Sequence, residues 1–313
     1  MVLRLVTLAS MIGLAVTAGQ AVSVTPAGAT NYGQGYTMFG ADGGAFAFGK
    51  AGFYGTISTI PGGGGTPQSW FGSNIVAGAV SPTRDGYWFL AANGYTCVRG
   101  NALAENNQWT ADNVKDWCAT VPAGVTYAGS VNSILGIDNG GYLIVTSIGA
   151  CYAYGDTSCH GNAPGGNTIV AATATTDGLG YWMVSATGAV FAFGDAFYKG
   201  GISVTLNKPI VGIAPDASAS MAPGVGNFGY WLVASDGGLF PFNAPFLGSV
   251  GNTALPKPIT GIVGSGSGLG YLMTASDGGG VVFGDFAFQG AMSGNNLASS
   301  NSPPNNIVGV GGS

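Results

Sequence analysis

Chemistry in this chain would have to come from thirteen acidic residues, one histidine, four cysteines and six tryptophans. Asp42, Asp236 and Asp277 each open an Asp-Gly-Gly stretch, and Asp156, Asp195 and Asp285 each follow a glycine. An Asp side chain in such a place accepts hydrogen bonds from nearby backbone amides, so turn formation accounts for all six. A glycosidase needs two carboxylates held across a bond, and Glu105 with Asp112 or Asp116 is the acidic group that falls off this pattern. No nucleophile elbow, phosphate loop or metal motif accompanies them. His160 is the sole histidine and no Cys-x-x-Cys occurs, which removes zinc and leaves no cofactor to expect. The tryptophans divide. Trp88, Trp182 and Trp231 each follow a Gly-Tyr pair and read as core, whereas Trp70, Trp109 and Trp117 stand elsewhere. Aromatic faces beside Asp, Asn and Gln are what stacking on sugar rings and bonding their hydroxyls require. Trp70, Trp109 and Trp117, with Asp42, Asp236 and Asp277, are therefore the candidate ligand-binding residues.

The elements that must position these residues come from a repeat. Gly35-Tyr36, Gly86-Tyr87, Gly141-Tyr142, Gly180-Tyr181, Gly229-Tyr230 and Gly270-Tyr271 each open an apolar run, followed by a turn and a second run. Asp-Gly and Gly-Gly between β-favouring runs tolerate the positive φ of tight hairpins. A Gly-Asp turn then precedes a short aromatic stretch such as Phe53-Tyr54, Phe197-Tyr198 or Phe246-Leu247, which reads as an outer strand. An Ile-Val-Gly type run, as in Ile75 to Val80, Ile169 to Thr173, Ile210 to Ile213 and Ile259 to Val263, precedes most anchors. Four strands per unit of roughly 40 to 55 residues predict a propeller rather than a helical solenoid. The first unit lacks its leading strand, and Ile307 to Val310 has that sequence at the other end. The expectation is an all-β, six-bladed β-propeller with four-stranded blades, its first blade closed by residues 307–310. Residues 130 to 138 fit the leading-strand pattern least well. In such a ring the blade-to-blade connections holding the three off-repeat tryptophans share a face with Asp42, Asp236 and Asp277.

The repeat resembles one found in tandem in secreted and surface proteins of actinobacteria, Gly-Tyr-Trp-Leu-Val-Ala-Ser-Asp-Gly-Gly-Val-Phe-Ala-Phe-Gly-Asp-Ala followed by Phe-Tyr-Gly-Ser. Gly229 to Phe242 and Gly180 to Tyr198 are near it, whereas Gly86 to Asn101 and Gly141 to His160 have lost the Ser-Asp-Gly-Gly turn. The resemblance implies a propeller-like fold of unassigned activity, an actinobacterial source and an extracellular or cell-surface location.

Met1 to Arg4, the apolar run Leu5 to Ala18 and Ala27-Gly28-Ala29 have the order of a secretory signal peptide, cut after Ala29 or after Ala21. Residues 1–29 are then a leader and residues 30–313 a single exported domain with no further membrane-spanning segment. In that compartment Cys97, Cys118, Cys151 and Cys159 should be oxidised, with three connectivities open. Cys151 with Cys159 would staple one hairpin, and Cys97 with Cys118 would restrain the insertion from Gly100 to Trp117. Eight basic residues and a net charge of −5 exclude nucleic acid as a partner. With 58 glycines and 7% charged residues, the surface resists self-association little. The reading is a non-enzymatic module binding cell-wall or extracellular polysaccharide; the alternatives are a self-associating envelope protein and a glycan hydrolase or lyase.

Overall fold

A computed structural model describes residues 35–57, 72–102, 117–119, 121, 124–137, 141–217, 229–292 and 306–312. The expected leader 1–29 with its expected cleavage sites, Trp70, Trp109, Glu105, Asp112 and Asp116 lie outside these residues. Among the described residues the secondary structure consists of nineteen strands in six antiparallel sheets. The first sheet holds β1 (Gly35–Gly40) and β2 (Ala45–Gly49). The second holds β3 (Ile75–Val80), β4 (Gly86–Ala91), β5 (Thr96–Gly100) and β6 (Trp117–Ala119). The third is β7 (Val131–Ile137), β8 (Gly141–Thr146) and β9 (Cys151–Gly155), and the fourth β10 (Ile169–Ala174), β11 (Gly180–Ser185) and β12 (Val190–Gly194). The fifth is β13 (Ile210–Asp216), β14 (Gly229–Ala234) and β15 (Leu239–Phe242), and the sixth β16 (Ile259–Gly264), β17 (Gly270–Ala275) and β18 (Gly280–Gly284). The last strand, β19 (Ile307–Gly312), pairs antiparallel with β1, so both ends of the domain build the first sheet, as the missing leading strand predicted.

Each leading strand begins on a buried Ile or Val and shifts register by one residue directly after it, between Ile75 and Ala77, Val131 and Ser133, Ile169 and Ala171, Ile210 and Gly212, and Ile259 and Gly261. Such bulges bend and twist the strand locally. The Gly-Tyr strand lies at the centre of every sheet and is buried along nearly its whole length, on both faces. A strand buried on both faces must be apolar throughout, which is why these runs do not alternate. The cores lie between sheets. Trp88, Trp182 and Trp231 pack on Tyr142, Tyr230 and Tyr271 of the following sheet, with ring centroids 5.8, 5.4 and 5.2 Å apart. Six such interfaces follow one another around the molecule, and the sixth, with Val282 and Phe286, meets Tyr36 and Met38 of the first sheet. The leading strands also touch in a closed cycle, β3 to β7, β10, β13, β16, β19 and back to β3.

The expected fourth strands are the correction. Five sheets have three strands, and Phe53-Tyr54, Phe197-Tyr198 and Phe246-Leu247 are not in any ladder. Their cause is a glycine. Gly55, Gly161, Gly200, Gly248 and Gly290 take φ of 105, 155, 130, 141 and 135°, which no extended strand allows. Two residues later each segment makes a backbone bond to a hairpin glycine, Ile57 to Gly43, Ala163 to Gly149, Ile202 to Gly188, Val250 to Gly237 and Met292 to Gly278. The carbonyl of the kinked glycine accepts the hydroxyl of the next sheet's anchor tyrosine: Tyr181 to Gly161 at 2.7 Å, Tyr230 to Gly200 at 2.6 Å, Tyr271 to Gly248 at 2.7 Å, Tyr87 to Gly55, and Tyr36 to Gly290. The outer segment thus clips neighbouring sheets together instead of widening its own.

Among the described residues, only the second sheet has a fourth strand. There Cys97 is bonded to Cys118, whose strand pairs Thr96 with Ala119 and Val98 with Trp117. The other disulfide joins Cys151 to Cys159 in the third sheet. Removing the Cys97–Cys118 bridge, which spans a separation of 21 residues, should cost about 3 kcal/mol through freed unfolded-chain entropy. Urea denaturation of a Cys97→Ala/Cys118→Ala variant measures it, and the shorter Cys151–Cys159 loop of 8 should matter less.

Candidate functional site

The antiparallel sheets give the molecule two ends. The hairpins between second and third strands occupy one, and the loops between first and second strands the other. Asp42, Asp236 and Asp277 lie at the hairpin end, where each carboxylate accepts the amide two residues on: Gly44 at 3.0 Å, Gly238 at 2.9 Å and Gly279 at 3.0 Å. These bonds hold the Asp-Gly-Gly turns closed, and one oxygen of each candidate ligand residue serves that turn.

Of the candidate tryptophans, Trp70 and Trp109 lie outside the described residues, and Trp117 opens β6. β5 runs from the hairpin end to Gly100 at the opposite end, and β6 pairs back along it with Trp117 opposite Val98. The expectation of one aromatic face therefore falls on residues outside those described.

That opposite end contains a cavity of about 710 Å³, lined by the last residues of all six leading strands. Its size lies within the about 300–1,000 Å³ typical of small-ligand clefts. The walls are mainly glycine backbone, Ala, Val, Ile and hydroxyl side chains such as Thr173 and Thr176, and among the described residues Arg84 is the one charged residue lining it. Around its rim, hydroxyls and carboxylates fasten the loops. Ser265 and Ser267 donate to the two oxygens of Asp285 at 2.9 and 2.6 Å, joining the first loop of the sixth sheet to the end of its third strand. Asp85 does the same in the second sheet: the Thr83 hydroxyl, with the Asn101 amide at 3.0 Å and Ser81, keeps its carboxyl below the usual range.

In the fourth sheet two carboxyls meet. Burial and the hydrogen bond and charge of Asp177 push Asp195 up. Burial would raise Asp177 too, but bonds from Thr175, the Leu179 amide and Asp195 hold it low. Of the two, Asp195 therefore holds its proton the more tightly. Hydrogen-bonded carboxyls leave no room for a glycosidic oxygen and water between them, unlike the ~5 Å or greater spacing of glycosidases. Neither residue lines the cavity. Among the described residues there is no group of three metal-ligating side chains.

Arg84 is the residue that composition alone concealed. It has φ of 62°, and the same loop position in the fourth and sixth sheets is Gly178 and Gly268, both at φ 72°. All three amides close the same turn, onto Ser81, Thr175 and Ser265. Left-handed backbone costs a residue with a Cβ about 1–2 kcal/mol, a cost glycine avoids. Aligning Pro82-Thr83-Arg84-Asp85-Gly86 with Thr176-Asp177-Gly178-Leu179-Gly180 exposes the substitution. The chain matches none of the protein-family models and none of the curated proteins with which it was compared.

Proposed function

We propose that this chain is an exported six-bladed propeller, of the kind its repeat resembles in actinobacterial surface proteins, and that it works as a non-catalytic module binding cell-wall or extracellular polysaccharide. The ring reading is supported by the unbroken cycle of six inter-sheet cores, and export by two disulfides, which persist in oxidising compartments. The observation that carries the binding role is the cavity ringed by six leading strands, whose carbonyls and hydroxyls can bond a polyhydroxylated ligand while its aliphatic walls contact the sugar faces. An array of cell-wall and extracellular glycans, probed with the protein and with a Trp70→Ala/Trp109→Ala/Trp117→Ala variant, tests it. Retention of both proteins on the same glycans locates binding away from those tryptophans, retention of the parent alone assigns it to them, and no retention of either overturns the reading.

A second reading, self-association as a structural envelope protein, rests on the circumference. Phe53, Tyr198 and Phe246, equivalent residues just before the kinked glycines, are 62, 63 and 60% exposed. Sedimentation at micromolar concentration without glycan separates it from the first.

A further inference from the structure

We infer that Arg84 makes the cavity an anion-selective saccharide site, its ligand a sugar unit bearing a carboxylate; this rests on the polysaccharide-binding reading and narrows it. The chain contains its own control. Gly178 and Gly268 show what the turn itself requires, so the Arg84 backbone is held in a conformation its own side chain disfavours. The side chain is exposed and lines the cavity. Among the described residues it has no ion-pair partner: the adjacent Asp85 carboxylate is taken up by Thr83, Asn101 and Ser81. Asp195 and Asp285, also at this end, are likewise held by Thr175, Ser265 and Ser267, and neither lines the cavity. A planar guanidinium presents two parallel donors that match a carboxylate in a way a hydroxyl-lined wall does not. The strands would then supply the hydroxyl contacts, and Arg84 the charge that decides between acidic and neutral sugars.

Titration calorimetry with trigalacturonate and with its carboxyl-reduced neutral counterpart tests this on the parent chain, Arg84→Gly and Arg84→Lys. The expected result is tighter binding of the acidic trisaccharide by the parent, a loss of about 10- to 100-fold in Arg84→Gly and a partial loss in Arg84→Lys. The neutral sugar should bind parent and Arg84→Gly alike. Since glycine is the residue of the sister loops, Arg84→Gly should melt no lower than the parent, so lost binding is not lost folding. Undiminished trigalacturonate binding in Arg84→Gly, or equal affinity of the parent for both sugars, overturns the anion site while leaving the polysaccharide reading standing. No binding of either sugar by the parent, with glycans retained on the array, likewise overturns the site alone; an empty array removes both.

Discussion

Replacing Gly248 by alanine is expected to destabilise the protein by about 4 kcal/mol. Two costs combine. Its φ of 141° is one that side chains rarely adopt, and a Cβ built there would lie 2.3 Å from the Phe283 ring, which belongs to the next sheet. Backbone strain and overpacking each run at about 1–3 kcal/mol, and neither can relax independently, because the Gly248 carbonyl is also the acceptor of Tyr271. The same collision recurs at Gly161 with Phe193, Gly200 with Phe242 and Gly290 with Phe48, so the effect belongs to the repeat. Chemical denaturation measures it. Gly266→Ala is the comparison, since a Cβ there meets nothing within 4 Å and the substitution should change stability by less than about 1 kcal/mol. Equal losses at the two positions would refute the clip.

That clip marks the boundary of what the sequence made legible. The central strands were plain, because a strand buried on both faces must be a short continuous apolar burst, and each begins at a Gly-Tyr pair where the structure begins it, as at Gly86, Gly180 and Gly229. The leading strands were nearly as clear: Ile75–Val80 matches to the residue, and even the poorly fitting 130–138 region contains β7. The outer segments misled because Phe-Tyr pairs have the composition of strands. Their conformation is decided instead by the glycine that follows, whose role depends on a tyrosine hydroxyl contributed by a repeat further along the chain. Two other departures were hidden in the same way. Arg99 pairs with Tyr87 where the other sheets pair Phe48, Tyr154, Phe193, Phe242 and Phe283 with their anchors, and it is buried all the same. Arg84 occupies a left-handed position that only alignment of the loops within the ring reveals. Periodicity reports which way a side chain faces, not which residue type a backbone conformation will accept.

Raising the pH from 10 to 12 is expected to unfold the domain cooperatively. Burial pushes the phenols of Tyr36, Tyr230 and Tyr271 up to about 12, against the Lys199 and Leu247 amides that donate to Tyr230 and Tyr271 and favour the ionised form, and Tyr181 is raised in the same sense. An unfolded tyrosine ionises near pH 10. A group whose folded value is raised lends its full stabilisation below the unfolded value and loses it as pH climbs to the folded one, so the window is pH 10 to 12. Each unit of difference corresponds to about 1.4 kcal/mol, so each of the three tyrosines loses on the order of 2–3 kcal/mol across the window. The sum rivals the whole stability of an ordinary domain. The physical content is that a phenolate cannot donate to a glycine carbonyl, so every clip that ionises leaves two acceptors facing each other between sheets. Absorbance at 295 nm and β-sheet circular dichroism should therefore change together in one steep transition. A Tyr36→Phe/Tyr230→Phe/Tyr271→Phe variant, weaker at neutral pH by about 1 kcal/mol for each lost bond, should show a shallower dependence on pH over the same window. An equally steep transition in that variant would mean that the tyrosine clips do not hold the six sheets together.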